Sequence, residues 1–152
     1  MSDDPVVAER WSTMAGVHRK IEVRIEQNLR QQVGLGSREF CALGALHRGM
    51  QTGQGPLRLG DLAAAVGLSQ SATSRLVARL QVRGLITLRT SRDDRRSVEI
   101  ELTGAAHDTL RVGTQVLHKA VRDAVRQLGA EGADGYLLRY LRGERRATST
   151  SR

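Results

Sequence analysis

Gln70, Ser71, Ser74, Arg75 and Arg79 fall at spacings that a helix would turn to one side, and a little further on Arg92-Asp93-Asp94-Arg95-Arg96 stand together. These side chains suit recognition of another polar surface: Gln pairs with adenine, Arg with guanine or phosphate, and Ser or Thr with bases or phosphates. They do not suit catalysis. The chain has no Gly-x-Ser-x-Gly elbow, no P-loop and no Gly-x-Gly-x-x-Gly, and its acidic residues fall mainly on expected helix surfaces or among the arginines. The reading is therefore a binding protein, not an enzyme.

The surrounding residues say how such side chains would be held. Ahead of them, Ala63 is small where two helices must approach, Gly67 can end a short helix, Leu68 can plug the turn into a core and Ser69 can cap a second helix. That second helix turns Ala72, Leu76 and Leu80 inward and the polar set outward. Behind it, Ile86, Leu88 and Thr90 alternate with Thr87 and Arg89, and Val98, Ile100 and Leu102 alternate with Glu99 and Glu101. These are two strands with one buried face each, joined at the arginine-rich tip. A short helix, a turn, a reading helix and a hairpin make a winged helix-turn-helix, so the fold class is mainly α with a small β-hairpin wing. The expected ligand is double-stranded DNA, read by Ser37, Ser69, Gln70, Ser71, Thr73, Ser74, Arg75 and Arg79 and by the wing residues Arg92, Asp94, Arg95 and Arg96.

The rest of the chain frames this region. Val7, Trp11, Met14, His18, Ile21, Ile25 and Leu29 recur at steps of three or four, which predicts a helix over 6–33 ended by Gly34 and Gly36. Ser37 reads as the cap of a second helix through Phe40, Leu43, Ala45 and Leu46 that loses its pattern at Gly49, and 52–56 reads as a loop. Thr103 caps a long helix carrying Leu110, Leu117, Val121, Val125 and Leu128 and ending at Gly129. Tyr136, Leu137, Tyr140 and Leu141 suggest a short last helix, and 143–152 a flexible tail. One domain over 1–152 results, with 37–103 as the DNA-binding region and 6–33 and 104–142 as terminal helices. Their apolar stripes are too extensive for the small domain between them, and a symmetric homodimer would bury them and present two reading helices to a pseudo-palindromic operator.

Composition agrees with an anionic partner. The 152 residues carry 24 Lys and Arg against 16 Asp and Glu, a net charge of +8. No apolar run could span a bilayer and the first residues do not resemble a signal peptide, so a cytoplasmic protein without membrane contact is expected. Single-stranded nucleic acid is disfavoured because Trp11, Phe40, Tyr136 and Tyr140, the only aromatics, lie outside the basic segment. Cys41 is the single cysteine, without a disulfide partner, and reads as a buried inert thiol.

The run Leu68-Ser69-Gln70-Ser71-Ala72-Thr73-Ser74-Arg75-Leu76-Val77-Ala78-Arg79-Leu80, then Arg83-Gly84-Leu85-Ile86, Asp94-Arg95-Arg96-Ser97 and Leu102-Thr103, resembles the MarR family of bacterial transcriptional regulators. The sharp motifs cover 59–103, and the order of elements about 6–142. The resemblance implies a homodimer joined through the first and last helices, which represses transcription and is released by small phenolic or aromatic acids or by thiol oxidation. It also implies that Asp94 steadies a groove-entering Arg96. The family often has Pro-Ala-Gly after the Leu-Thr, where Gly104-Ala105-Ala106 stands here. In its thiol-switch branch the reactive cysteine lies in the first helix, whereas Cys41 lies in the second.

No cofactor or metal is expected. His107 and His118 lie three turns apart on one helix, roughly 16 Å, too far to share an ion, while His18 and His47 could converge without supporting spacing. A small aromatic effector would sit between the first helix, the second helix and the winged region, with Trp11, His18, Arg19 and His47 as lining residues. The competing reading is a winged-helix protein-interaction module such as an antirepressor.

Overall fold

The computed structural model describes residues 4–133 and 135–143. Helix α1 (Asp4–Val33) is followed by α2 (Ser37–Gln51), strand β1 (Leu57–Arg58), α3 (Leu59–Val66), α4 (Gln70–Val82), β2 (Ile86–Thr90), β3 (Val98–Leu102), α5 (Gly104–Ala130) and α6 (Gly135–Leu141). The helix-turn-helix is α3–α4, and β2–β3 is the wing. Of the expected tail, residues 144–152 lie outside the described residues.

Local chemistry explains most element ends. At Gly67 the backbone is left-handed, with φ of 67°, a conformation nearly free for glycine and costly for other residues. That lets Leu68 donate its N–H back to the Ala63 carbonyl at 3.1 Å and drop into the core. Ser69 caps α4 by accepting the Ala72 N–H at 3.2 Å, and Thr103 caps α5 by accepting that of Ala106 at 3.3 Å, both as expected.

Ser37 is not the cap of α2. Gly36 holds that position, because carboxylates do the work that a hydroxyl was expected to do: Glu39 accepts the Gly36 N–H at 3.0 Å, and Glu26 of α1 accepts that of Ser37 at 2.5 Å. Two helices also run past the glycines assigned to stop them. α2 continues through Gly49 to Gln51 and α5 through Gly129 to Ala130, with the chain turning at Gly132. Glycine lowers helix propensity, and packing of the flanking turns overrides it.

The sheet has three strands in the order β1-β3-β2, all antiparallel. β1 is too short to show a period in sequence; it pairs Leu57 with Ile100 and so ties the loop after α2 to the wing. The expectation of one buried face per strand holds only at the root, where Ile86 and Ile100 are buried. Leu88 and Val98, facing the same way, are 42% and 48% exposed, because the ribbon projects past the helices that cover its base.

Leu29, Leu35, Leu43, Leu46, Leu62, Leu76, Leu80 and Ile86 form the main core, joining α1, α2, the helix-turn-helix and the wing root. A second cluster of Val17, Val125, Leu128 and Leu138 joins α1, α5 and α6. α1 and α5 thus pack along each other within one subunit, covering the C-terminal part of the α1 stripe. Val7, Trp11 and Met14 near its start, and Tyr136, Tyr140 and Leu141 of α6, stay exposed.

Candidate nucleic-acid interface

Helix α4 divides cleanly. Thr73, Leu76, Val77 and Leu80 face the core, and Gln70, Ser71, Ser74, Arg75, Ala78 and Arg79 face outward. Thr73 is therefore corrected from the reading set: it is fully buried, and its hydroxyl donates to the Ser69 carbonyl at 2.8 Å. It takes the inward position that Ala72 was expected to share, because the capped start of α4 rotates the helix so that 73, 76, 77 and 80 form the buried stripe. Ser69 spends its hydroxyl on the cap and lies 3.3 Å from that of Ser71.

The end of α3 is fixed by Arg38 of α2, which donates to the Val66 carbonyl at 3.0 Å, a cation on the negative end of the helix dipole. Arg79 is paired with Glu39 at 3.2 Å, and Arg83 donates to the Gly34 carbonyl. Arg75, by contrast, has no partner among the described residues.

In the wing, Ser91 donates its N–H to the Ser97 carbonyl at 2.8 Å and closes the neck of the loop. Both serines are buried while residues 92–96 are exposed. Asp94 builds the tip: its carboxylate accepts the backbone N–H of Arg96 at 3.0 Å, and its carbonyl accepts that of Ser97 at 2.9 Å. This is an Asx turn. Asp94 thus acts on Arg96 through the backbone N–H. Arg92, Arg95 and Arg96 make no ion pair among the described residues, whereas Arg89 at the root is paired with Glu101 at 3.0 Å.

Among the described residues, those expected to line an effector site lie in different surroundings. Trp11 is exposed on α1, and His18 is exposed and lies 3.8 Å from Glu22. Arg19 borders a groove of about 450 Å³ between α1 and α5, together with Lys20, Val23, Arg24 and Leu128. His47 meets His107 of α5 edge to face, with ring centroids 5.6 Å apart. Among the described residues no group of three or more His, Cys, Asp or Glu is placed to hold a metal ion, and no helix is long and apolar enough to cross a membrane.

Cys41 is exposed, not buried as expected: it points from α2 away from the stripe formed by Phe40, Leu43 and Leu46. Partial burial of the thiol, and then the charge of Glu22, nevertheless push its pKa up, the opposite of what an activated thiolate requires.

The MarR family model matches residues 33–97, which span α2, the helix-turn-helix and the wing. Comparison with curated protein sequences yields no match. Among solved structures, the transcriptional regulator BldR from Sulfolobus solfataricus is 23% identical, with 94% of this chain and 96% of that one covered and a TM-score of 0.71. AbsC, a MarR family transcriptional regulator from Streptomyces coelicolor, is 24% identical over 94% and 97% of the two chains, with a TM-score of 0.70. BpsR from Bordetella bronchiseptica, whose DNA binding is regulated by 6-hydroxynicotinic acid, is 21% identical over 85% and 89%, with a TM-score of 0.64. At these identities the likeness is one of fold, and it spans the terminal helices as well as the winged region. Fold and site define a winged helix-turn-helix protein. Over residues 33–97, the winged helix-turn-helix region, the chain is similar to the MarR family.

Proposed function

We propose that the protein is a homodimeric, sequence-specific DNA-binding repressor released by a small aromatic acid. The observation that carries the DNA-binding part is the pairing of a capped helix, whose exposed face holds Gln70, Ser71, Ser74 and Arg75, with a ribbon tip of three exposed guanidiniums that make no ion pair among the described residues. The helix suits a major groove, and the tip suits the negative potential of an adjacent minor groove. Dimerisation is supported by exposed Val6, Val7, Trp11 and Met14 on α1 and Tyr136, Tyr140 and Leu141 on α6, apolar surface that a second copy would cover. An effector site containing Trp11 would then need that second copy. The behaviour of BpsR toward 6-hydroxynicotinic acid supports the chemical class.

Selection from a random duplex library tests this reading. It should return an inverted repeat with half-sites about 10 base pairs apart, and aromatic acids should weaken binding to it. An asymmetric site would sink the dimer, no change with any aromatic acid would sink the release mechanism, and no enriched duplex would favour a protein-interaction module.

The wing gives a sharper test. Removing the Asp94 carboxylate also removes negative charge near DNA, so charge alone predicts tighter binding by Asp94→Ala. Loss of the Asx turn predicts the reverse, and a loss of about three- to tenfold is expected, the equivalent of one hydrogen bond. Asp94→Asn keeps the acceptor and should bind at least as tightly as wild type. Weak binding by Asp94→Asn, measured at constant salt, would mean that the charge acts directly on a guanidinium.

A further inference from the structure

We infer that Arg79 and Arg83 are a clamp that fixes the pose of the reading helix on the α1–α2 turn, with Glu39 as its anchor, and that neither is a phosphate contact. The inference rests on the DNA-binding reading and reassigns Arg79 within it. Arg79 lies in the last turn of α4 and Arg83, four positions on, is the residue that caps its C-terminus, so both leave that end on the same side. Arg79 Nε reaches Glu39 Oε1 in the first turn of α2 at 3.2 Å, and the Arg83 guanidinium reaches the Gly34 carbonyl just past α1.

The Arg83 guanidinium lies so close over Gly34 that a Cβ there would come within 2.9 Å of it. Between the two arms, Ala78 and Val82 line a groove of about 440 Å³ against Arg30 and Glu39.

The turn that receives the clamp is itself braced. Glu26 of α1 accepts the Ser37 N–H and pairs with Arg30 at 2.6 Å. Glu39 accepts the Gly36 N–H with its second oxygen. The Glu39 side chain is only 13% exposed, so pulling Arg79 toward a phosphate would leave a largely buried carboxylate without its counter-ion. A single exposed phosphate contact is a poor exchange for that. The same contacts join the end of a terminal helix to the DNA-reading helix, so a shift of α1 passes to α4 through charged side chains as well as through the core.

Affinity of Arg79→Gln, Arg83→Gln and Glu39→Gln for the selected duplex, measured over a range of salt and against a scrambled duplex, tests the clamp. Each should lose roughly tenfold in affinity for the selected site and much of its preference over the scrambled one. The salt slope should stay within about half a unit of wild type, since no phosphate contact is lost. Glu39→Gln combined with Arg79→Gln should be no worse than either alone. Amide exchange without DNA should quicken in the C-terminal half of α4 in all three variants.

A slope shallower by nearly 2 in Arg79→Gln, about 0.9 from each subunit, together with tighter binding by Glu39→Gln, would overturn the clamp and make Arg79 a phosphate contact. Unchanged affinity, preference and exchange in all three would overturn it as well. Wild-type protein that binds no duplex, but whose α4 exchange still quickens on Arg79→Gln, would leave the clamp standing and remove the DNA-binding reading.

Discussion

Raising the salt from about 50 to about 200 mM should weaken binding to the selected duplex by about 10⁴-fold, the largest effect expected for the site. The estimate follows from which cations are free. Arg38, Arg79, Arg83 and Arg89 are committed to partners within the chain. Arg75 on the reading helix and Arg92, Arg95 and Arg96 on the wing are exposed and unpaired among the described residues. Doubled in a dimer, these give about eight phosphate-facing charges and, at about −0.9 per contact, a slope of log K against log salt near −7. The net charge of +8 on the chain alone would not give this number, because most of that charge is distributed over surfaces remote from α4 and the wing. Arg96→Ala should make the slope shallower by nearly 2. A wild-type slope near zero would show that the exposed arginines serve something other than DNA.

Much of this interface was legible in sequence because its signals are local. Gly67, Ser69 and Thr103 each act on the backbone within a few residues, and the alternation around Ile86 and Ile100 marks the strands. The features that sequence reading missed depend on contacts between distant segments. Nothing near Ser37 says that Glu26, eleven residues earlier, takes its N–H, and nothing near Arg79 says that Glu39 holds it. Thr73 reads as a DNA contact because Thr hydroxyls bond bases and phosphates; its burial depends on a rotation of α4 of less than one residue step, below what periodicity resolves. The pattern Glu39, three residues after Gly36, could have flagged the carboxylate cap. Cys41 reads as buried because it follows Phe40 on what looks like an apolar side of α2, yet neighbours in a helix point to different sides and the thiol is exposed.

Gly113 carries the largest effect expected on stability, and sequence gave no reason to single it out. It lies inside α5, where Ala would ordinarily stabilise a helix by about 1 kcal/mol. Here a Cβ would stand 2.2 Å from Cε2 and 2.9 Å from Cζ of Phe40, far inside van der Waals contact. The Phe40 ring is buried among core residues and cannot swing aside without displacing them. Overpacking of this kind costs about 1–3 kcal/mol for a few added atoms, so Gly113→Ala should be destabilising despite its better propensity, and Gly113→Leu more so. For a domain of this size each kcal/mol lowers Tm by about 2–4 °C. Phe40→Leu should recover part of the loss in the Gly113→Ala background, although alone it is destabilising, because it removes the atoms that clash. The position also bears on DNA binding, since Phe40·Gly113 and His47·His107 are two points at which α2 meets α5. Wedging them apart should change how the winged region sits on the long helices, and hence the separation of the two reading helices in a dimer. A Gly113→Ala protein with a higher Tm and unchanged half-site spacing would mean that the Phe40 ring yields freely, and that α2 and α5 are not held at that point.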